Sequence, residues 1–374
     1  MIKVLVVDDS MFMRKSLMII LEKDPGIKIV GSAKDGLEAL DLIPKLEPDV
    51  VTLDIEMPRM DGLTTLQHIM QDSPRPVLMV SAISKEGAEV TLKAMEYGAM
   101  DYLAKPDSVM SLNSAAVEQE LIDKVKAVAK RKGFVARKPM KIPFVPPKAA
   151  APAPKPSAAS YASPAPAPVR ADIKIIPRPT GKSQIRDLIA IGVSTGGPPA
   201  VQKILTALPG DLPAPIIIAQ HMPASFTRPF AERLDSMCQI RVKEAEDGER
   251  VRDGVAYVAP GGRHMRISIK LANRTLHISD EPKAAFYRPS ANELIGSAGE
   301  ALGRRALGVM LTGMGSDGIE GVKILKANGG KMLAQSEATC VVYGMPKAVI
   351  DANLADEILD IDDMAEAIVR GLYE

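Results

Sequence analysis

The 374-residue sequence has no tryptophan, only four histidines and two cysteines, and an aromatic content of 3%. Cys238 and Cys340 show no CxxC spacing and cannot build a disulfide framework, which fits a reducing compartment. Each reads as a small buried apolar side chain rather than a nucleophile. With 47 basic and 46 acidic residues the net charge is +1, so no global field draws the chain to nucleic acid or to an anionic membrane. No apolar run is long enough to span a bilayer. The opening "MIKVLVVDDS" meets two aspartates almost at once, unlike the basic-then-apolar layout of a signal peptide. The expectation is a soluble, cytoplasmic protein without direct membrane insertion, whose partners are recognised locally.

What is present falls into two periodic segments and a gap. Proline and alanine dominate "KIPFVPPKAAAPAPKPSAASYASPAPAPV" (Lys141 to Val169). Proline removes backbone donors and alanine gives little to bury, so this stretch reads as an extended or disordered linker. The resulting division is residues 1–130, a linker over 131–183, and 184–374, and each flanking segment is large enough for its own core. In the first, apolar runs at "KVLVV", Ile27 to Val30, Val50 to Leu53, Val77 to Val80 and around Tyr102 and Leu103 alternate with helical patterns, the pattern of a doubly wound parallel sheet. The second repeats it with runs at Leu188 to Val193, Ile216 to Ala219, Val255 to Val258 and Leu307 to Leu311. A hairpin-like pair, "HMRISIK" and "RTLHISD", adds a small antiparallel element. The expected fold is α/β throughout.

In the first segment Asp8, Asp9 and Asp54 stand where parallel strands end, and such ends converge on one crevice. Crowded carboxylates repel unless a hard cation lies among them, and oxygen ligands suit magnesium. Lys105 and Ser81 close two further strands. A lone aspartate after a strand is usually a turn former, but five polar groups at four strand ends suit a phosphoryl group carried on a carboxylate. In its "VVDDS", "LDIEMPRMDG", "VSA" and "GAMDYLAKP" this segment resembles a response-regulator receiver domain, which is flavodoxin-like. The resemblance implies that Asp54 accepts phosphate from a histidine kinase. It also implies that Asp8, Asp9 and the Glu56 carbonyl help Asp54 hold Mg2+, that Ser81 and Lys105 contact phosphoryl oxygens, and that Tyr102 is a switch aromatic.

In the second segment "GVSTGGPPA" (Gly192 to Ala200) follows an apolar strand and opens a helix. It is neither GxGxxG nor GxxxxGK[ST], and Pro198 and Pro199 remove N–H groups that an anion would use. A nucleophilic serine needs a base, an orienting acid and oxyanion donors. His221 in "PIIIAQHMP" and Asp317 in "GVMLTGMGSDG" leave strands at the same sheet edge as Ser194. His264 in "YVAPGGRHM" competes for the base, His277 reads as packing or exposed, and Asp247 and Asp253 read as turn residues. "IGVSTGGP", "AQHMPASFTRPFAERLD", "AEDGERVRDGVAYVAPGGRHM", "LTGMGSDG" and "AQSEATCVVYGMPKAV" are together similar to the catalytic domain of the chemotaxis protein-glutamate methylesterase (CheB) family. That resemblance implies Ser194 as nucleophile, His221 as base and Asp317 as orienting acid, with oxyanion donors from the Met314 and Thr195 N–H groups. "YRPSANELI" departs from the family's stretch at Ala291 and Asn292, where valine and aspartate are commoner, which bears on loop packing or substrate contact.

The function so implied is a phosphorylation-activated hydrolase of glutamyl methyl esters on chemoreceptor cytoplasmic domains, also a glutamine deamidase, with no cofactor for the ester step. A DNA-binding response regulator would need a basic recognition helix in a three-helix unit, and neither is present. A receptor-binding adaptor without catalysis is separated from the enzyme only by assay.

Overall fold

The computed structural model describes residues 1–82, 84–105, 114–130, 175–179, 181, 183–270 and 273–374. The proline- and alanine-rich stretch from Lys141 to Val169, and Pro106, lie outside the described residues.

The N-terminal body alternates β1 (Ile2–Val7), α1 (Met11–Glu22), β2 (Ile27–Ala33), α2 (Gly36–Leu46), β3 (Val50–Asp54), α3 (Gly62–Asp72), β4 (Val77–Ala82), α4 (Lys85–Glu96), β5 (Asp101–Lys105) and α5 (Ala115–Ala129). Helix starts are written into the sequence. Ser10, Asp35, Asp61 and Ser84 each accept a hydrogen bond from a first-turn N–H with a side-chain oxygen, satisfying donors a helix leaves orphaned. The five strands are parallel in the order β2-β1-β3-β4-β5. The order reverses between β1 and β3, and there the crevice opens.

The C-terminal body runs β6 (Leu188–Val193), α6 (Gly197–Ala207), β7 (Ile216–Gln220), α7 (Ala224–Met237), β8 (Arg241–Glu244), β9 (Val255–Val258), β10 (His264–Lys270), β11 (Asn273–Ser279), α8 (Ala291–Leu302), β12 (Ala306–Met310), α9 (Ile319–Ala327), β13 (Lys331–Gln335), α10 (Met345–Asp351), β14 (Glu357–Leu359) and α11 (Ile361–Gly371). Seven strands form a parallel sheet in the order β14-β13-β12-β6-β7-β9-β8, while β10 and β11 pair antiparallel as a separate sheet. Every residue of β6, β7 and β12 is buried, as expected of central strands covered on both faces. Strand order reverses between β6 and β12, so the loops after these two strands open onto one crevice. The short strands β8, β13 and β14 had no distinct signature in the sequence.

Residues 175–179 already pack on this body. Ile176 N–H donates to Ala207 O at 2.9 Å and Arg178 Nε to the Tyr373 hydroxyl at 3.1 Å. Between the bodies, α4 lies against α6 and α7. Tyr102 stacks on Phe226 with centroids 4.8 Å apart, and Arg233 Nε donates to Glu96 Oε1 at 2.8 Å. Among the described residues no helix is long and apolar enough to cross a membrane.

Candidate functional site

The first site lies at the β1/β3 reversal. Carboxylate oxygens of Asp8, Asp9 and Asp54 all come within 4.8 Å of one another. Lys105 Nζ, delivered by the end of β5, is 2.8 Å from both Asp8 Oδ2 and Asp54 Oδ2. Asp8 and Ser81 are wholly buried and Asp54 nearly so, whereas Asp9 is exposed. Burial pushes the Asp54 carboxyl up to about 6, Lys105 opposing and Asp8 reinforcing the rise. One lysine among three carboxylates leaves negative charge uncompensated. That donor set, all oxygen and one side open, fits a hard divalent cation. Asp9, Asp54, Glu56, Ser81 and Lys105 line a common cavity. Ser81 Oγ donates to Gly87 O at 3.3 Å. Tyr102 pairs with Met79 on β4, one position before Asp54's partner Val80; it is buried and stacks on Phe226 of the C-terminal body.

The second site lies at the β6/β12 reversal, and its turns are demanding. Gly196 has φ 73° and a side chain there would run into Val341, while one at Gly197 would strike the Gln220 amide. Glycine is therefore required at both. Gln220 Nε2 donates to Ser194 O at 3.0 Å and to His221 O at 3.1 Å, so one buried amide ties the ends of β6 and β7 together. Gly313 brings the loop after β12 so close that a Cβ there would lie 2.9 Å from Ser194 Cβ. Ser194, His221 and Asp317 thus come from three adjacent strand ends.

His221 Nε2 is 2.8 Å from Asp317 Oδ2. The remaining ring nitrogen, Nδ1, is buried and has no partner among the described residues. Asp317 also accepts from Ser290 Oγ at 2.8 Å, from Ala291 N–H at 2.6 Å and from Asn292 N–H at 3.3 Å. Burial pushes its carboxyl up, but the hydrogen bonds from His221, Ser290 and Ala291 outweigh burial and hold it below its usual range. An ionised acid of this kind keeps a proton on Nε2 and leaves Nδ1 as the basic nitrogen. The N–H groups of Thr195 and Met314 donate to no backbone acceptor among the described residues.

Several of these contacts were not visible in the sequence. The "YRPSANELI" stretch does more than pack: its Ser290, Ala291 and Asn292 hold Asp317, and Asn292 Oδ1 accepts from the N–H groups of Gly318 and Gly321 at 3.0 Å each. Tyr287 stacks on His221. The only advance signal was the departure at positions 291 and 292, and nothing in the pattern tied it to Asp317. His264 is fully buried, and burial lowers its pKa against the opposing effect of Glu293 and the Pro282 carbonyl. His277 is half-exposed, 3.8 Å from Asp247. Cys340 is buried. Cys238 is only partly so, contrary to its reading as a buried residue, because it caps α7 where that helix reaches the surface; burial still pushes its thiol up to about 12.

Comparison with known proteins agrees with this architecture. Residues 4–116 match the response regulator receiver domain and residues 189–368 the CheB methylesterase family. A protein-glutamate methylesterase/protein-glutamine glutaminase 1 of Oleidesulfovibrio alaskensis is 57% identical over 100% of both chains. Protein-glutamate methylesterase/protein-glutamine glutaminase 2 of Nitratidesulfovibrio vulgaris is 58% identical, also over 100% of both. The corresponding protein of Pyrococcus horikoshii is 42% identical over 99% of this chain and 94% of its own. With full-length likeness of this degree and both domains in the same order, the chain belongs to the protein-glutamate methylesterase/protein-glutamine glutaminase family, a CheB methylesterase domain behind a response-regulator receiver.

Proposed function

We propose that the protein is a phosphorylation-activated protein-glutamate methylesterase that hydrolyses glutamyl methyl esters on the cytoplasmic helices of chemoreceptors and deamidates glutamine with the same groups. The observation that carries this reading is the His221–Asp317 pair, 2.8 Å apart, at a strand-order reversal shared with Ser194. Ser194 Oγ attacks the ester carbonyl and gives its proton to His221 Nδ1, the nitrogen that Asp317 does not hold. The N–H groups of Met314 and Thr195 receive the oxyanion. His221 then protonates the leaving methoxide, and water releases the acid from the acyl-enzyme by the same steps in reverse. An amide leaving group uses the same proton, so deamidation needs no further residue. The ester step requires no cofactor.

Asp54 is the phosphoacceptor in this reading, its phosphodonor a chemotaxis histidine kinase. Asp8, Asp9, Asp54 and the Glu56 carbonyl would hold Mg2+, which supplies positive charge against the phosphoryl oxygens. Lys105 and Ser81 contact those oxygens, and Tyr102 is the switch aromatic. The domains are taken as residues 1–130, a linker 131–183 and 184–374, working in the cytoplasm. Regulation follows from where the receiver rests. It bears on α6 and α7, which begin just after Ser194 and His221, and phosphorylation loosens that contact. The test is methanol release from methylated receptor by intact protein, with and without a small-molecule phosphodonor and magnesium, beside Ser194→Ala and Asp54→Ala. Release that needs Ser194, and rises with phosphodonor only when Asp54 is present, is the expected result. No release from any folded form overturns the esterase and leaves a binding adaptor.

A further inference from the structure

Hydrogen bonding alone leaves the catalytic imidazole under-determined. The bond to Asp317 holds Nε2, but that atom lies close to the Cβ–Cγ axis, so the ring keeps some freedom to turn about Cβ–Cγ. The atom that must be aimed, Nδ1, has no partner among the described residues. What lies on the ring's face is Tyr287. Its ring is parallel to the imidazole, with planes 9° apart and centroids 4.1 Å apart. Phe286 meets Tyr287 edge-on at 4.8 Å from the outside and is itself 82% exposed. The Tyr287 hydroxyl reaches to 3.5 Å from where a Cβ would stand on Gly315, so the same side chain touches the glycine loop that carries the Met314 N–H. Burial and then the nearby Asp317 charge push its phenol pKa up, which keeps the hydroxyl neutral beside the base.

We infer that Tyr287 is a positioning residue for the hydrolysis: its ring holds the His221 imidazole in the plane that aims Nδ1 at Ser194. The inference rests on the triad reading given above. Because the face does the work, a phenylalanine at 287 preserves it, and a flexible or branched side chain of similar bulk does not. Offset parallel stacking contributes beyond area burial alone, and a misaimed base lowers the chemical step rather than substrate binding.

The test is steady-state methanol release by intact, phosphodonor-activated protein across a range of methylated-receptor concentrations. Wild type is compared with Tyr287→Phe, Tyr287→Leu, Tyr287→Met and Ser194→Ala. The proton of the His221–Asp317 hydrogen bond is followed in parallel by its downfield NMR resonance. Tyr287→Phe is expected to keep kcat, while Tyr287→Leu and Tyr287→Met lower kcat by about 10–100-fold with KM little changed, and broaden or lose the downfield signal. A leucine or methionine variant with wild-type kcat and an intact signal overturns the inference. So does a phenylalanine variant as impaired as leucine, or a loss confined to KM. Should Tyr287→Leu fail to fold by thermal melting, Tyr287→Met and Tyr287→Phe carry the comparison. If Ser194→Ala keeps wild-type release, the triad reading has failed independently of any outcome at Tyr287.

Discussion

At the scale of single residues, Asp317 is the most heavily bonded group of the candidate site. Four donors converge on it, from His221, Ser290, Ala291 and Asn292, and three of them come from the N-terminal end of α8 and its cap. Asp317→Asn is expected to leave KM near its wild-type value and to lower kcat by about 10⁴-fold, the scale seen when a triad acid becomes an amide. Stability should follow pH in a definite sense. The folded-state pKa of Asp317 lies below its ordinary 3.8, so the unfolded chain takes up its proton first. The carboxylate's stabilisation is complete above that ordinary value and drains away as pH falls through the folded one. In urea unfolding followed against pH, the gap between wild type and Asp317→Asn should be flat near neutrality and close under acid conditions. A gap that widens in acid contradicts the assignment. Asn292→Ala, which strips the acceptor from the Gly318 and Gly321 N–H groups, should cost about 1–3 kcal/mol by the same measurement.

At the scale of elements, the β6–α6 turn determines where Ser194 stands. Gly197 sits against the Gln220 amide that bridges the carbonyls of Ser194 and His221. Gly197→Ala must push that amide away, breaking both bonds and separating the two strand ends. The expected outcome is a loss of about 1–3 kcal/mol from overpacking together with a fall in kcat at unchanged phosphodonor response, measured by melting and by methanol release. A fully active Gly197→Ala would show that the bridge is dispensable. The strands that escaped sequence reading are of the same scale. β14 has three residues and β8 four, too few for alternation or an apolar run to register. Each is an edge strand, paired on one side only, β8 with β9 and β14 with β13.

At the scale of the whole molecule, the receiver rests on α6 and α7, the two helices that follow Ser194 and His221. Tyr102 stacked on Phe226, and Arg233 paired with Glu96, are contacts between bodies. The ion pair is about a quarter to a third exposed, so its removal is worth only about 0.2–1 kcal/mol, a factor of about 1.4–5 in the equilibrium between covered and open forms. Arg233→Ala should raise methanol release without phosphodonor by that factor and leave the fully stimulated rate unchanged. Equal unstimulated rates in wild type and variant would remove this pair from the switch.

What the sequence determined by itself was whatever depends on near neighbours in the chain. Apolar runs marked the central strands, because a strand covered on both faces must be apolar throughout. Polar residues just past those runs marked Asp8, Asp9, Asp54, Ser194, His221 and Asp317, because parallel strands end together at one sheet edge. The glycines of "GVSTGGPPA" marked a turn with no room for a Cβ. Tertiary structure alone decided which imidazole nitrogen faces Asp317, that Ser290, Ala291 and Asn292 hold that carboxylate, that Tyr287 covers His221, and that Tyr102 meets Phe226. Each of these joins side chains separated by many residues. Periodicity tells which face of an element is covered, but the partner on the other side is chosen only when the elements pack.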